Sequence, residues 1–284
     1  MVSRRSPTTI LLTLLATACG GTPATPTRPA PVANPPVRTS GSVALARTWQ
    51  SQVIVDRRDS LVLTLPNGTK QVQRLGRLAL FALTMEGNSF TARLDSLVLA
   101  PAAPEVARVA LGTSWTGRVG AFGRLENLTA SRGGILVEEL TTAVTALIPS
   151  LPRSGAKVGE TWSDSAKRTI RVEIFRTEER RTSRWRVNPT SERDGILVVP
   201  VQVRENFEQV GKGTSSGREM TMTAEGSRSG VYYMTADGRI EQIVTVDSIA
   251  KLITIPSAKQ SIPTMQYSRT QVRFRPVAAR PKGD

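Results

Sequence analysis

A chain of 284 residues with one cysteine and no histidine is excluded from Ser-His-Asp and Cys-His catalysis, from the usual zinc sites and from internal disulfides. Its 38 Lys and Arg outweigh 23 Asp and Glu to give a formal charge of +15, a field that favours anionic partners. Arg makes up 31 of the 38 cations, a bias that GC-rich coding also produces, and no nucleic-acid recognition motif accompanies it.

Residues 1–18 have the order of an export signal peptide. Arg4 and Arg5 form a positive start, residues 9–16 are a short, uncharged, mostly apolar run, and Ala18 is a small residue before Cys19. A spanning helix needs about 20 apolar residues, so the run is too short to cross a bilayer. Leu15-Ala16-Thr17-Ala18-Cys19 resembles the lipobox of bacterial lipoproteins, in which the cysteine sulfur receives a diacylglycerol and becomes the new N-terminus. The resemblance implies a lipidated Cys19 and a partner membrane. Two or three acyl chains hold durably where one does not. Gly20 in place of Asp after the cysteine implies the outer membrane by the same resemblance. Acylation leaves no thiol, so the domain must be held by core burial alone, for which its length is ample.

Residues 19–42 comprise the lipidated cysteine and a tether that carries Pro23, Pro26, Pro29, Pro31, Pro35 and Pro36. Extended proline-rich chain, at about 3.1 Å per residue, reaches roughly 70 Å here. Residues 43–275 then read as a β-rich domain, and 276–284 as a flexible tail. Gln52-Val53-Ile54-Val55 and Leu61-Val62-Leu63-Thr64-Leu65 are strand-like, and Pro66-Asn67-Gly68-Thr69 is a hairpin turn. Strands are expected over 72–85 and 90–99, joined by a turn at Glu86-Gly87-Asn88-Ser89. After them a helix is expected over 134–148, where Leu136, Leu140, Ala143, Val144, Leu147 and Ile148 recur at helical spacing before Pro149.

A second β region follows, with strands over 196–203, 231–234, 240–246, 252–255 and 266–275. In the last of these, Val272 and Phe274 share one face and Arg269, Arg273 and Arg275 the other. Gly123-Arg124-Leu125-Glu126 parallels Gly238-Arg239-Ile240-Glu241, which suggests duplicated halves over 43–130 and 160–275. The fold class is mainly β (α+β): one large antiparallel curved sheet, or two related antiparallel units, with one amphipathic helix packed between or against them.

The helix leads into Leu151-Pro152 and Val158-Gly159-Glu160-Thr161-Trp162, and Asp237-Gly238-Arg239-Ile240 forms a later turn. In these features the chain resembles a family of uncharacterised bacterial lipoproteins with two related β-rich halves and a central helix. A looser likeness, of architecture only, is to half-barrel lipoprotein carriers of the envelope. Neither carries an activity over to this chain.

Few residues invite chemistry. Glu138-Glu139 and Glu178-Glu179 read as solvated surface pairs, and Ser165 with Lys167 as neighbours on a strand. Gly211-Lys212-Gly213-Thr214 lacks the spacing of a phosphate loop and reads as a mobile hairpin tip. No catalytic residue, metal ligand or cofactor site is assigned. The expected function is a non-catalytic, lipid-anchored envelope module that binds a ligand or partner in a groove between its halves. Trp162, Arg269, Arg273 and Arg275 are its candidate binding residues. Two alternatives are a carrier of lipid or another amphiphile in an apolar half-barrel cavity, and a structural protein that holds anionic envelope polymer on its arginine faces. Nucleic acid is not among the expected partners, and the sequence leaves the oligomeric state open.

Overall fold

The computed structural model describes residues 41–65 and 67–277. The export signal, Cys19, nearly all of the tether and most of the tail lie outside the described residues. In chain order the elements are β1 (Ser42–Val43), β2 (Thr48–Thr64), β3 (Lys70–Glu86), β4 (Ser89–Ala100), α1 (Pro104–Ala110), β5 (Ser114–Val119) and β6 (Leu125–Ala130). There follow α2 (Ile135–Thr145), β7 (Ala156–Lys157), β8 (Thr161–Val172), β9 (Phe175–Val187) and β10 (Ser191–Arg193). The last four strands are β11 (Ile196–Ser215), β12 (Arg218–Met234), β13 (Ile240–Ile255) and β14 (Gln260–Pro276).

Twelve of these strands form one antiparallel sheet in the order β6-β5-β4-β3-β2-β14-β13-β12-β11-β9-β8, with β10 added beside β11. The fold class is therefore the first of the two architectures expected. Thirteen β2–β14 pairs, from Leu63↔Thr264 to Ser51↔Pro276, join the N-terminal and C-terminal strands edge to edge. A continuous ladder thus stands where a groove between halves was expected. The sheet curls so that its two end strands, β6 and β8, both lie against α2.

Because side chains alternate along each strand, the inner face is a stack of rows that cross the sheet. One row runs Val187, Val201, Tyr232, Ile243, Val272, Val55, Ala79 and Leu97, and is apolar but for the Tyr232 hydroxyl. Against it α2 buries Val137, Leu140 and Val144, and Leu147 and Ile148 follow just past its end. Each such side chain contributes roughly 1.5–3 kcal/mol when fully buried. Two buried polar groups of this core find partners across it, while the Nε1 of Trp49 and of Trp185 meet no acceptor among the described residues. Trp115 Nε1 donates to Thr141 Oγ1 at 2.8 Å, and Tyr232 Oη donates to the Ala146 carbonyl at 3.0 Å, taking up an acceptor at the end of α2.

Several sequence expectations need correction. Residues 52–55 and 61–65 are not two strands but parts of the continuous β2, and β13 likewise fuses the expected 240–246 and 252–255. Val137, which the expected helical stripe omits, is buried on α2, and Leu136 is only partly so. The short helix α1 was not anticipated; its seven residues are too few to show a period. Gly211 and Gly213 lie inside β11, and the tip of that hairpin is at Ser216–Gly217. Residues 174–177, at and just before the start of β9, crowd them: a Cβ on Gly211 would fall 2.7 Å from Thr177 Oγ1, and one on Gly213 2.8 Å from the Ile174 carbonyl oxygen, each also 3.1 Å from a Phe175 carbon.

The turns at Gly123 and Gly238, parallel in sequence, also match in bonding. Gly120 donates to Arg124 and Gly123 to Gly120; Thr235 donates to Arg239 and Gly238 to Thr235. Both glycines have positive φ, +72° and +85°.

Candidate functional site

Beyond the apolar core, the inner face changes character. A row of polar residues crosses seven strands: Asp164, Ser183, Glu205, Arg228, Asp247, Ser268 and Asp59. Arg228 forms a two-pronged bond to Asp247 at 2.7 and 3.2 Å and meets Glu205 at 3.4 Å. Asp59 takes three bonds from the Arg57 guanidinium and others from Gln266 and Ser268. Two rows further on, Arg168 and Gln209 each donate to Glu179 at 2.8 Å. Glu179 is therefore buried and ion-paired rather than solvated, while Glu178 beside it faces outward to Lys167 at 3.3 Å. Strand alternation sends adjacent residues to opposite faces, which adjacency in sequence conceals. Glu138 and Glu139 are also engaged, by Arg171 and Arg77.

Burial favours the neutral form of Asp59 and Glu179, but their arginine partners and hydrogen bonds outweigh it and hold both carboxyls below the ordinary range. Burial likewise acts to lower Arg228, and the charge of Asp247 reverses it, so this guanidinium is held above its usual value. Asp59, Glu179, Gln209, Glu205, Arg228 and Asp247 line a half-open interior cavity of about 210 Å³, with Glu173 and Arg171 among its wall residues. Leu61, Leu75, Ile170, Val172, Phe207 and Ile249 share its walls, so the lining is mixed rather than purely apolar.

The apolar concavity lies on the outer face instead. A groove of about 800 Å³ runs over β2, β3, β4, β13 and β14. Gly76 and Ala100 oppose each other in register and keep its floor low, and Leu78, Val98 and Tyr267 stand beside it, each about half exposed. Arg58 and Arg269 sit directly opposite each other across the β2–β14 ladder, on the same outer face. Like charges so placed repel, and among the described residues Arg58 has the half-buried Asp56 as its one ion-pair partner, at 3.1 Å. Arg74 adds a third cation at the rim.

The structure separates the sequence candidates. Arg269 lines this groove, whereas Arg273 and Arg275 line a smaller outer one with Arg193 and Phe274. Trp162 is far from both in the ladder. Its ring stacks on Trp185 at 6.1 Å with 5° between planes, and its Nε1 donates to the Ser150 carbonyl at 2.9 Å. It sits at the seam where Arg124, from the turn before β6, pairs with Asp164 on β8. Ser165 and Lys167 are outward neighbours on β8, and among the described residues Lys167 pairs with Glu178 alone. Sequence reading missed Arg58 because residues 56–59, Asp-Arg-Arg-Asp, resembled a break between strands. Among the described residues no group of three or more acidic, His or Cys side chains could hold a metal ion.

No family model matches the chain, and no curated protein matches it, so the resemblance to two-halved lipoproteins rests on the quoted motifs. One similar solved structure is a LolA superfamily protein from Nitrosomonas europaea. It has 7% identity and a TM-score of 0.18, with 84% of this chain and 91% of that chain covered. At that score the likeness carries no argument about fold or function. No helix among the described residues is long and apolar enough to cross a membrane.

Proposed function

We propose that this protein is a non-catalytic envelope lipoprotein, anchored through Cys19, that binds an anionic amphiphile in the outer groove. The apolar chain would lie along Leu78, Val98 and Tyr267 over the Gly76–Ala100 floor, and the anionic head would bridge Arg58 and Arg269. The observation that carries this reading is the opposed arginine pair beside an exposed apolar groove. An anion between the two guanidiniums relieves their repulsion and accepts charge-assisted bonds from both. The volume falls within the roughly 300–1,000 Å³ of small-ligand sites, and apolar surface rimmed by polar groups marks an interaction site. A membrane-tethered protein meets such amphiphiles at its anchor.

Binding of the fluorescent fatty acid cis-parinarate to the 41–284 domain tests the groove. A hydrogen bond to a charged group is worth about 1.5–3 kcal/mol, so Arg58→Ala and Arg269→Ala should each weaken binding by about 10- to 100-fold. Leu78→Glu, on an already exposed position, should abolish it. Affinities equal to wild type in all three variants would refute the groove assignment. The anchor has its own test: palmitate labelling should disappear in Cys19→Ser, and equal labelling of both proteins would refute it.

A further inference from the structure

We infer that the interior cavity is a second binding site, independent of the outer groove, that takes a small oxyanion on the Arg181 guanidinium. Seven cations line this cavity, Arg57, Arg77, Arg168, Arg171, Arg181, Arg228 and Lys251, against six carboxylates. Arg171 is paired with Glu138, outside the lining, at 3.0 Å, and five of the carboxylates are committed to other cations. Asp59 is held by Arg57, Glu139 by Arg77, Glu179 by Arg168, Asp247 by Arg228 and Glu173 by Lys251, all at 3.0 Å or less.

The sixth carboxylate, Glu205, is divided. It accepts from Ser183 at 2.9 Å and stands 3.4 Å from both Arg228 and Arg181. That distant, shared carboxylate is the partner of Arg181, whose side chain is only 19% exposed. Its Nε is buried and meets no acceptor among the described residues, and the Nε of Arg77, in the same wall, is likewise unmatched. The charge of Arg181 is felt around it: after burial itself, it is among the influences that lower Arg124 and Arg168.

A largely desolvated guanidinium with less than one carboxylate's worth of compensation attracts an anion strongly. Its planar fork of N–H donors matches the paired oxygens of a carboxylate, phosphate or sulfate. Phe207 lies opposite Arg181 in the ladder, so water on that side is restricted. The cavity, at about 210 Å³, has room for several waters at roughly 30 Å³ each. It suits an inorganic oxyanion or a short carboxylic acid rather than a nucleotide or a lipid head with its chains.

Isothermal titration of the full-length, detergent-solubilised protein at constant ionic strength would test this, with inorganic phosphate, sulfate and acetate as separate probes against chloride. Wild type should bind at least one of the three, and which one identifies the oxyanion. Arg181→Met should weaken that binding by about tenfold or more. Glu205→Gln removes the competing carboxylate and should tighten it several-fold, a change of sign that general loss of structure would not produce. Arg58→Ala with Arg269→Ala should leave it unchanged, which separates this site from the outer groove. No binding of any probe by wild type would overturn the inference, as would Arg181→Met binding like wild type in a folded protein. If Arg181→Met does not fold, Glu205→Gln decides: an affinity at or below wild type would count against the site.

Discussion

Replacing Arg228 with alanine is expected to lower the unfolding free energy by about 3 kcal/mol or more, read as a shift in urea midpoint. The side chain is one-fifth exposed, and its two carboxylate partners, Asp247 and Glu205, are 2% and 5% exposed. Removing one member of a buried ionic set strands the others without solvent, which typically costs 3–5 kcal/mol. The loss should be specific to stranding. Replacing the set together, as Arg228→Met with Glu205→Leu and Asp247→Val, removes the charges along with their desolvation and should recover most of the stability. A triple variant no better than Arg228→Ala would show that the row stabilises the fold in its own right.

Gly238→Ala should cost about 2–4 kcal/mol. At φ +85° an L side chain is already strained by about 1–2 kcal/mol. A Cβ there would also run into the Ala44 carbonyl oxygen and fall 2.7 Å from the backbone nitrogen of Ala46, and overpacking of this kind adds about 1–3 kcal/mol. The turn is pinned from that side, since Ala46 donates to the Gly238 carbonyl at 2.9 Å. Gly217 is the control. Its φ is +73° but nothing lies within 4 Å of the Cβ position, so Gly217→Ala should cost only the backbone strain. Equal losses at the two sites would remove the clash from the account. Hydrogen exchange at the Ala46 amide should speed up in Gly238→Ala alone.

Both binding proposals rest on one property of long strands, that neighbouring residues serve different faces. Arg57 faces the interior row and Arg58 the outer groove. An arginine-rich chain can therefore build an ionic interior and a cationic exterior from the same segment. The anionic ligand of each face would meet a different set of guanidiniums, and the two sites can be lost separately.

The charged interior also explains where sequence reading faltered. On β2 the inward positions run Val53, Val55, Arg57, Asp59 and Leu61, and on β13 Ile249 stands between Asp247 and Lys251. Apolar periodicity stops at the charges, so one strand looked like two. A carboxylate or guanidinium kept in phase with flanking inward apolar residues was the available signal. Glu205, between Val203 and Phe207, shows it most clearly. Glu179 was misread as surface for the same reason, since a glutamate run in a charged segment says nothing of a partner such as Arg168 on the next strand.

By itself the sequence determined the β-rich class, the first hairpins, the helix before Pro149 and the lack of histidine that excludes imidazole chemistry. These follow from alternation, turn glycines, helical spacing and composition, all of which act over a few neighbouring residues. Tertiary structure alone decided that β2 joins β14, that the two end strands meet on α2 and that Arg58 stands opposite Arg269. It also placed Arg181 where, among the described residues, its one ion-pair partner is the shared carboxylate of Glu205. Those facts depend on which strands pair and in what register. Register is settled by the whole sheet at once, because a shift of one residue would exchange every inward side chain for an outward one.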